Sequence, residues 1–441
     1  MPESQVPLQI WGGLECSMVR VGEAMRDQFR ETAHEARGAR DLEAVAALGV
    51  TVLRYPVSWE RVAPETSGAC DWSWHDGQLD AMCALGLHPI LGCVHHGGGP
   101  RHTSLADPLF PEKLAAFAGQ AARRYPWVTD WTPVNEPLTT ARFSGLYGHW
   151  FPHHANEASF LRMVVNQCRA VLLSMRAIRA VVPGARLVQT EDLGRVFARA
   201  SLQYQADYEN DRRWLSFDLL LGRIRPGDPW HAKLQSVGVV RAHLDAFLEE
   251  PIGAVLLGFN HYITSERFLD ERLTLYPAKL HGGNGRHRYV DTEAARVPMP
   301  AGVTGWLPRL REATTRYPGV PAAVTEAHLG CKEREHQARW LDECWNAALT
   351  LRAEGFPLEA VTAWSLFGAV DWCSLLTQQR GRYEPGVFDV RGHGAPRPTI
   401  LAEAEAVASY ARRGGFDHSA LREPGWWRQP DRFHPRLRHA G

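Results

Sequence analysis

Trp131-Thr132-Pro133-Val134-Asn135-Glu136-Pro137 is the stretch on which the reading of this chain turns. The apolar approach to it reads as a strand over 128–136. Asn-Glu-Pro then ends the strand abruptly and leaves an amide and a carboxylate side by side where a loop begins. Asn and Pro are also common turn residues, so the tripeptide alone reads equally as a turn. Partners for Glu136 at the ends of other strands would decide between the two.

Outward from this stretch the chain alternates between short apolar runs and longer runs of helical period. Strands are predicted over 8–15, 50–57, 88–95, 128–136, 185–191, 254–260, 322–326 and 360–366. Helices are predicted over 39–48, 74–85, 111–124, 156–181, 240–248, 303–316, 333–353 and 398–411. In the longest, Phe160, Met163, Val164, Cys168, Val171, Leu172, Met175 and Ile178 recur at spacings of three and four, Asn156 caps the start and Pro183-Gly184 stops it. Eight strand-helix pairs predict an α/β fold, a single (β/α)8 TIM barrel with its active site at the C-terminal ends of the strands. The alternative is an open doubly wound sheet, but no Gly-x-Gly-x-x-Gly follows the first strand. One domain over 1–441 is expected, with an irregular loop insertion over about 265–300 and a tail over about 412–441 that either wraps the body or moves freely.

Lys plus Arg and Asp plus Glu both number 49, so the formal net charge is zero and no global field favours nucleic acid or an anionic membrane as a partner. No run of about 18 apolar residues occurs, and the N-terminal residues lack a basic segment followed by an apolar one, which predicts a cytoplasmic protein. The eight cysteines are scattered without Cys-x-x-Cys spacing, as buried free thiols are. His95-His96 and His149…His153-His154 are not joined to a carboxylate at ligand spacing, so no metal is expected.

The strand ends, taken together, carry Glu15, Arg54, His95, Asn135 with Glu136, Glu191 with Asp192, Asn260, Glu326 and, in the last strand, Trp364. In a closed parallel barrel these ends converge on one mouth. Glu136 and Glu326 end strands four and seven, which face each other. Facing carboxyls suit cleavage of a glycosidic bond: a gap of ~5–5.5 Å lets one attack while the other protonates the leaving oxygen, whereas ~6.5–9.5 Å leaves room for a water.

Trp131…Asn135-Glu136-Pro137, LRYPVSWERVAP over 53–64, Gly258-Phe259-Asn260-His261-Tyr262, Val324-Thr325-Glu326 and Ala363-Trp364-Ser365-Leu366 resemble, in order and spacing, the signature segments of family 1 glycoside hydrolases over about residues 9–400. The resemblance implies a retaining β-glycosidase acting on a small-molecule glycoside without metal or organic cofactor. It implies Glu136 as acid/base, Glu326 as nucleophile, Arg54 as the cation that keeps the nucleophile ionised and Tyr262 as its neighbour. His95, Asn135 and Asn260 would face the sugar, Trp364 would form its stacking floor, and Asp371-Trp372 stands where the family has Glu-Trp on the outer hydroxyls.

Departures accompany the match. Val19 stands about where the family places a sugar-binding Gln, with Glu15 and Arg20 nearby; Ala327-His328 replaces Asn-Gly; Asp371 is one methylene shorter than Glu. Glu15 and Glu191 are added to the expected sugar-facing set as extra carboxylates at the mouth. Closely similar domains, sharing the His-His-Gly and Thr-Glu-Asp-Leu-Gly segments, are found fused to a sugar-nucleotide reductase-like domain; none is expected within these residues. The alternatives are transfer of the sugar to an alcohol and a sugar-binding barrel without turnover. The sequence leaves oligomeric state open.

Overall fold

In the computed structural model, which describes residues 6–65, 68–392, 394–411, 416–435 and 437, the Asn-Glu-Pro strand is the fourth of eight parallel strands that close on themselves. These are β1 (Gln9–Gly13), β2 (Val52–Pro56), β3 (His88–His95), β4 (Asp130–Asn135), β5 (Arg186–Asp192), β6 (Val255–His261), β7 (Ala322–Ala327) and β8 (Leu358–Ala363). Neighbours in space are neighbours in sequence, and β1 closes the ring by pairing with β8 (Gly12 opposite Ala363) and with β2 (Gly13 opposite Arg54). The (β/α)8 barrel expected from the alternating pattern is the observed architecture.

Strand side chains alternate between two faces, and each face has its own core. Trp11, Ile90, Val188, Leu256, Ala323 and Ala360 form one buried cluster inside the ring. Their neighbours Leu91, Trp131, Leu187, Leu257 and Val324 join the larger cluster shared with the surrounding helices. The helix Glu157–Arg179 packs on Phe110–Arg124, and all eight residues of its predicted apolar face are buried. Each such side chain removed from water contributes ~1.5–3 kcal/mol. Asn156 caps it as predicted, accepting from Ser159 N–H at 2.8 Å.

One segment differs from the expectation, and the tail takes one of its two expected forms. Residues 265–300 are not irregular: Glu266–Asp270, His281–Gly283 and Arg288–Glu293 build a four-stranded sheet with Arg195–Ala198. Its strands are three to six residues long and one partner lies some seventy positions upstream, so no local period announces it. Leu269 packs on Val196, Leu202, Ala206 and Tyr289, while Phe268 packs with Tyr276 and Val290 on the other face. The described part of the tail wraps the body. Trp427 is buried edge-on against Trp340 at 5.1 Å, and Leu437 enters the Tyr276 cluster. The rest of the tail, 412–415, 436 and 438–441, lies outside the described residues. Among the described residues no helix is long and apolar enough to cross a membrane.

Candidate active site

The centre of the site is Arg54. It points into the ring from the third residue of β2 and is 5% exposed, where a guanidinium needs its donors answered. Nη1 donates to Glu326 Oε1 at 2.8 Å and to the Thr325 carbonyl at 2.7 Å, and Nη2 donates to Asn135 Oδ1 at 2.7 Å. One cation thus links strands two, four and seven.

Glu326 reaches this position through an irregularity. Ala323 faces the inner cluster and Val324 the helices, so strict alternation would send Glu326 outward. The pairing of β7 with β6 shifts register between Val324 and Glu326. A bulge of this kind turns a side chain to the other face. Glu326 is 1% exposed, and its second oxygen accepts from the Tyr262 hydroxyl. Burial raises its carboxyl above the ordinary value, while Arg54 and Tyr262 pull it back toward the ionised form.

Glu136 follows β4 in the left-handed region, φ 46°, directly before the helix Pro137–Ala141. A non-glycine residue there stores on the order of 1–3 kcal/mol, held by its surroundings. Asn260 Nδ2 donates to Glu136 Oε1 at 2.7 Å, and Asn260 Oδ1 accepts from Thr325 Oγ1 at 2.6 Å, so the amide has one orientation. His96 Nε2 lies 3.6 Å from Glu136 Oε2. Burial holds that imidazole down at about 3, with Arg54 adding to the effect, so the contact is to a neutral ring. Burial, then Glu326, Glu191 and Asp192, drive the Glu136 carboxyl well above its ordinary value, against the opposing pull of the Asn260 bond. The two carboxyls are therefore tuned apart: Glu136 has carboxylates for neighbours and one amide donor, Glu326 has a guanidinium and a phenol.

A cavity of about 660 Å³ opens over these groups. Of the residues predicted to face it, Glu15, Glu136, Tyr262, Trp364 and Trp372 do. Trp364 sits one residue beyond the end of β8 rather than within the strand. Its ring lies over Arg54 at 4.8 Å and stacks on His95 at 5.5 Å, 8° from parallel. Arg54, His95, Asn135, Asn260 and Glu326 stand behind the lining and shape it through hydrogen bonds or ring contacts.

Two predicted sugar-facing residues are corrected. Glu191 is fully buried and faces outward, because alternation from Val188 places Thr190 and Asp192 inward. Its carboxylate accepts from Leu138 N–H at 2.9 Å, Thr139 N–H at 3.2 Å and Ser216 Oγ at 2.9 Å, closing the first turn of the helix that follows Glu136. Asp371 is 1% exposed and folded onto the backbone N–H groups of Arg380, Gly381 and Arg382 and onto Arg26 at 3.1 Å. Val19 is buried against Trp150 and Leu376, so no polar group replaces the expected Gln there.

Asp192, Arg142, His96 and His328 line the cavity without having been singled out as sugar-facing. Alternation along β5 could have found Asp192. Arg142 lies in a π-turn after Pro137–Ala141, where no sequence period points. Among the described residues no group of three or more His, Cys, Asp or Glu is arranged to hold a metal ion.

Fold and site together define a class: a (β/α)8 barrel with two buried, unequally tuned carboxyls beneath an open, aromatic-walled mouth. No family model matches the chain. β-Glucosidase A of Thermotoga maritima is 22% identical over 389 residues, covering 79% of this chain and 80% of the relative. The structure of the family 1 β-glucosidase of Thermotoga maritima in complex with isofagomine lactam superposes with a TM-score of 0.72 at 16% identity, over 94% of this chain and 99% of the other. The AHE enzyme from Alicyclobacillus herbarius gives 0.73 at 16% identity, over 93% and 100%. The chain is a homologue of the Thermotoga family 1 β-glucosidase and shares the barrel of family 1 glycoside hydrolases.

Proposed function

We propose that this protein is a glycoside hydrolase of the retaining β-glycosidase type, acting on a small-molecule glycoside. The observation that carries the reading is the unequal setting of the two buried carboxyls, one among acidic neighbours and the other against a guanidinium and a phenol. Burial and acidic neighbours drive the Glu136 carboxyl well above the ordinary value, which suits it to give a proton; Arg54 and Tyr262 oppose the effect of burial on Glu326, which suits it to act as the ionised partner.

In the first step a Glu326 oxygen attacks the anomeric carbon as Tyr262 yields its hydrogen bond, and Glu136 gives its proton to the departing oxygen. In the second, Glu136, now a carboxylate, takes a proton from water, which displaces the sugar from Glu326. Asn260 keeps Glu136 aimed through both steps. Arg54 stabilises the carboxylate that leaves.

The test is Glu136→Ala assayed on two aryl β-glycosides of one sugar. Loss of the proton donor should cost ~10²–10⁴ in rate with a poor leaving group and far less with dinitrophenol. Added azide should yield the β-glycosyl azide. Equal loss on both substrates and no azide product would contradict the assignment.

A further inference from the structure

The cavity has an uneven charge distribution. Its arginines all come from the segments after β4, β5 and β6, where Arg212 is paired with Glu209, Arg213 with Glu312 and Arg267 with Asp291. The end beside β1 and β8 is lined by Glu15, Ser365, Trp364 and Trp372, with no cation among the described lining residues. Arg54, behind the lining, is committed to Glu326, Asn135 and a carbonyl. Burial holds the neighbouring imidazoles down, His96 to about 3 and His328 to about 4, so they supply no charge either.

Glu15 is the unanswered group. It is 6% exposed, and Ser365 Oγ fixes its backbone by accepting from its N–H at 2.9 Å. Oε1 accepts from Ser17 N–H at 3.0 Å and Ser17 Oγ at 2.5 Å. No donor among the described residues closes a hydrogen bond to Oε2. The buried Trp372 indole N–H faces this carboxyl and pulls it down as a donor, yet closes no hydrogen bond of good distance and angle. A carboxylate nine-tenths buried with one oxygen open to a cavity is costly unless a cation meets it. A hydroxyl would fill the hydrogen bond but leave the charge; an ammonium answers both through a charge-assisted bond.

We propose that Glu15 receives a protonated amine of the bound sugar, so that the substrate class is an amino-sugar glycoside; this rests on the glycosidase reading above. Burial, with Glu326 adding to it, pushes the Glu15 carboxyl up to about 7, so an arriving ammonium would draw it back to the ionised form.

The test is calorimetric and needs no turnover. Methyl β-D-glucosides carrying an amine in place of the 2-, 3-, 4- or 6-hydroxyl are compared with their N-acetyl counterparts and with the parent. One amine should bind the wild-type protein at least about tenfold more tightly than both its acetamide and the parent, and Glu15→Gln, checked for folding by thermal unfolding, should remove that preference. Should the variant not fold, the amine-to-acetamide ratio in the wild-type protein decides alone. No preferred amine, or a preference surviving in Glu15→Gln, overturns the proposal. The matching 4-nitrophenyl glycosides separate the two readings. Amine-selective binding without turnover leaves this site standing and removes the hydrolase, whereas turnover of neutral glycosides without amine preference does the reverse.

Discussion

The two sides of the barrel mouth are built on different terms. On the side formed by β2 and β4 to β7, side chains are held by named partners: Arg54 ties Glu326 to Asn135, Thr190 Oγ1 donates to Asn135 at 2.7 Å, and Thr325 orients the Asn260 that aims Glu136. On the side formed by β1 and β8, positions are exchanged. Val19 is packed among apolar side chains, Asp371 is turned onto a loop backbone, and Glu15 leaves an oxygen open. A closed hydrogen-bond network resists substitution because each loss strands another buried partner, which costs ~1–3 kcal/mol or more. The open oxygen of Glu15 carries no such penalty. Under the proposed function, that difference corresponds to a fixed chemistry and a changed sugar.

The comparison breaks most sharply at Arg54. Arg54→Met should lower kcat/KM by about 10³, because it removes the charge beside Glu326 and strands Asn135. The pH profile supplies the sign. Activity requires Glu326 ionised and Glu136 protonated, so kcat/KM rises with pH through the first carboxyl and falls as pH rises through the second. Both carboxyls lie above the ordinary value, Glu136 the more strongly placed there by burial and by its acidic neighbours. Without Arg54 the Glu326 carboxyl rises further, so the acid limb should move to higher pH. A profile with an unmoved acid limb would show that Arg54 does not act on Glu326.

A smaller effect is expected at Glu191, which supports the first side from behind. Glu191→Ala should destabilise by ~1–3 kcal/mol, read as a lowered thermal midpoint, since the amides of Leu138 and Thr139 lose their acceptor. Sugar selectivity should stay the same; a change in selectivity without a loss of stability would return Glu191 to the substrate. The smallest effect lies on the other side. Asp371→Asn should raise KM several-fold, about 2–5, with kcat nearly unchanged, because the 371–382 loop positions Trp372 without touching the reacting groups. A kcat loss as large as that of Arg54→Met would erase the contrast between the two sides.

The barrel was legible because its strands and helices differ in period and the long helices carry uninterrupted apolar faces. The two strands that carry the paired buried carboxyls were legible because Asn135-Glu136-Pro137 and Val324-Thr325-Glu326 are contiguous. What failed has a common physical source. Glu191 and Asp192 are adjacent, and only the face on which the strand begins its alternation tells which of them points inward. In β7 that alternation is itself broken by the bulge before Glu326. Asp371 was misjudged because its partners, three backbone amides about ten residues ahead, leave no mark in side-chain chemistry. The sheet within 265–300 depends on a partner strand at Arg195–Ala198 that local pattern cannot supply.

The central claim, that Glu326 is the atom donor to the sugar while Glu136 manages the proton, is most directly tested by mechanism-based trapping. Incubating the protein with 2,4-dinitrophenyl 2-deoxy-2-fluoro-β-glycosides of several sugar configurations, then mapping the peptides by mass spectrometry, should place one fluorosugar on Glu326, with one equivalent of dinitrophenol released. Label on Glu136 or Glu15, or turnover of the parent glycosides with inverted anomeric configuration and no label anywhere, would contradict it.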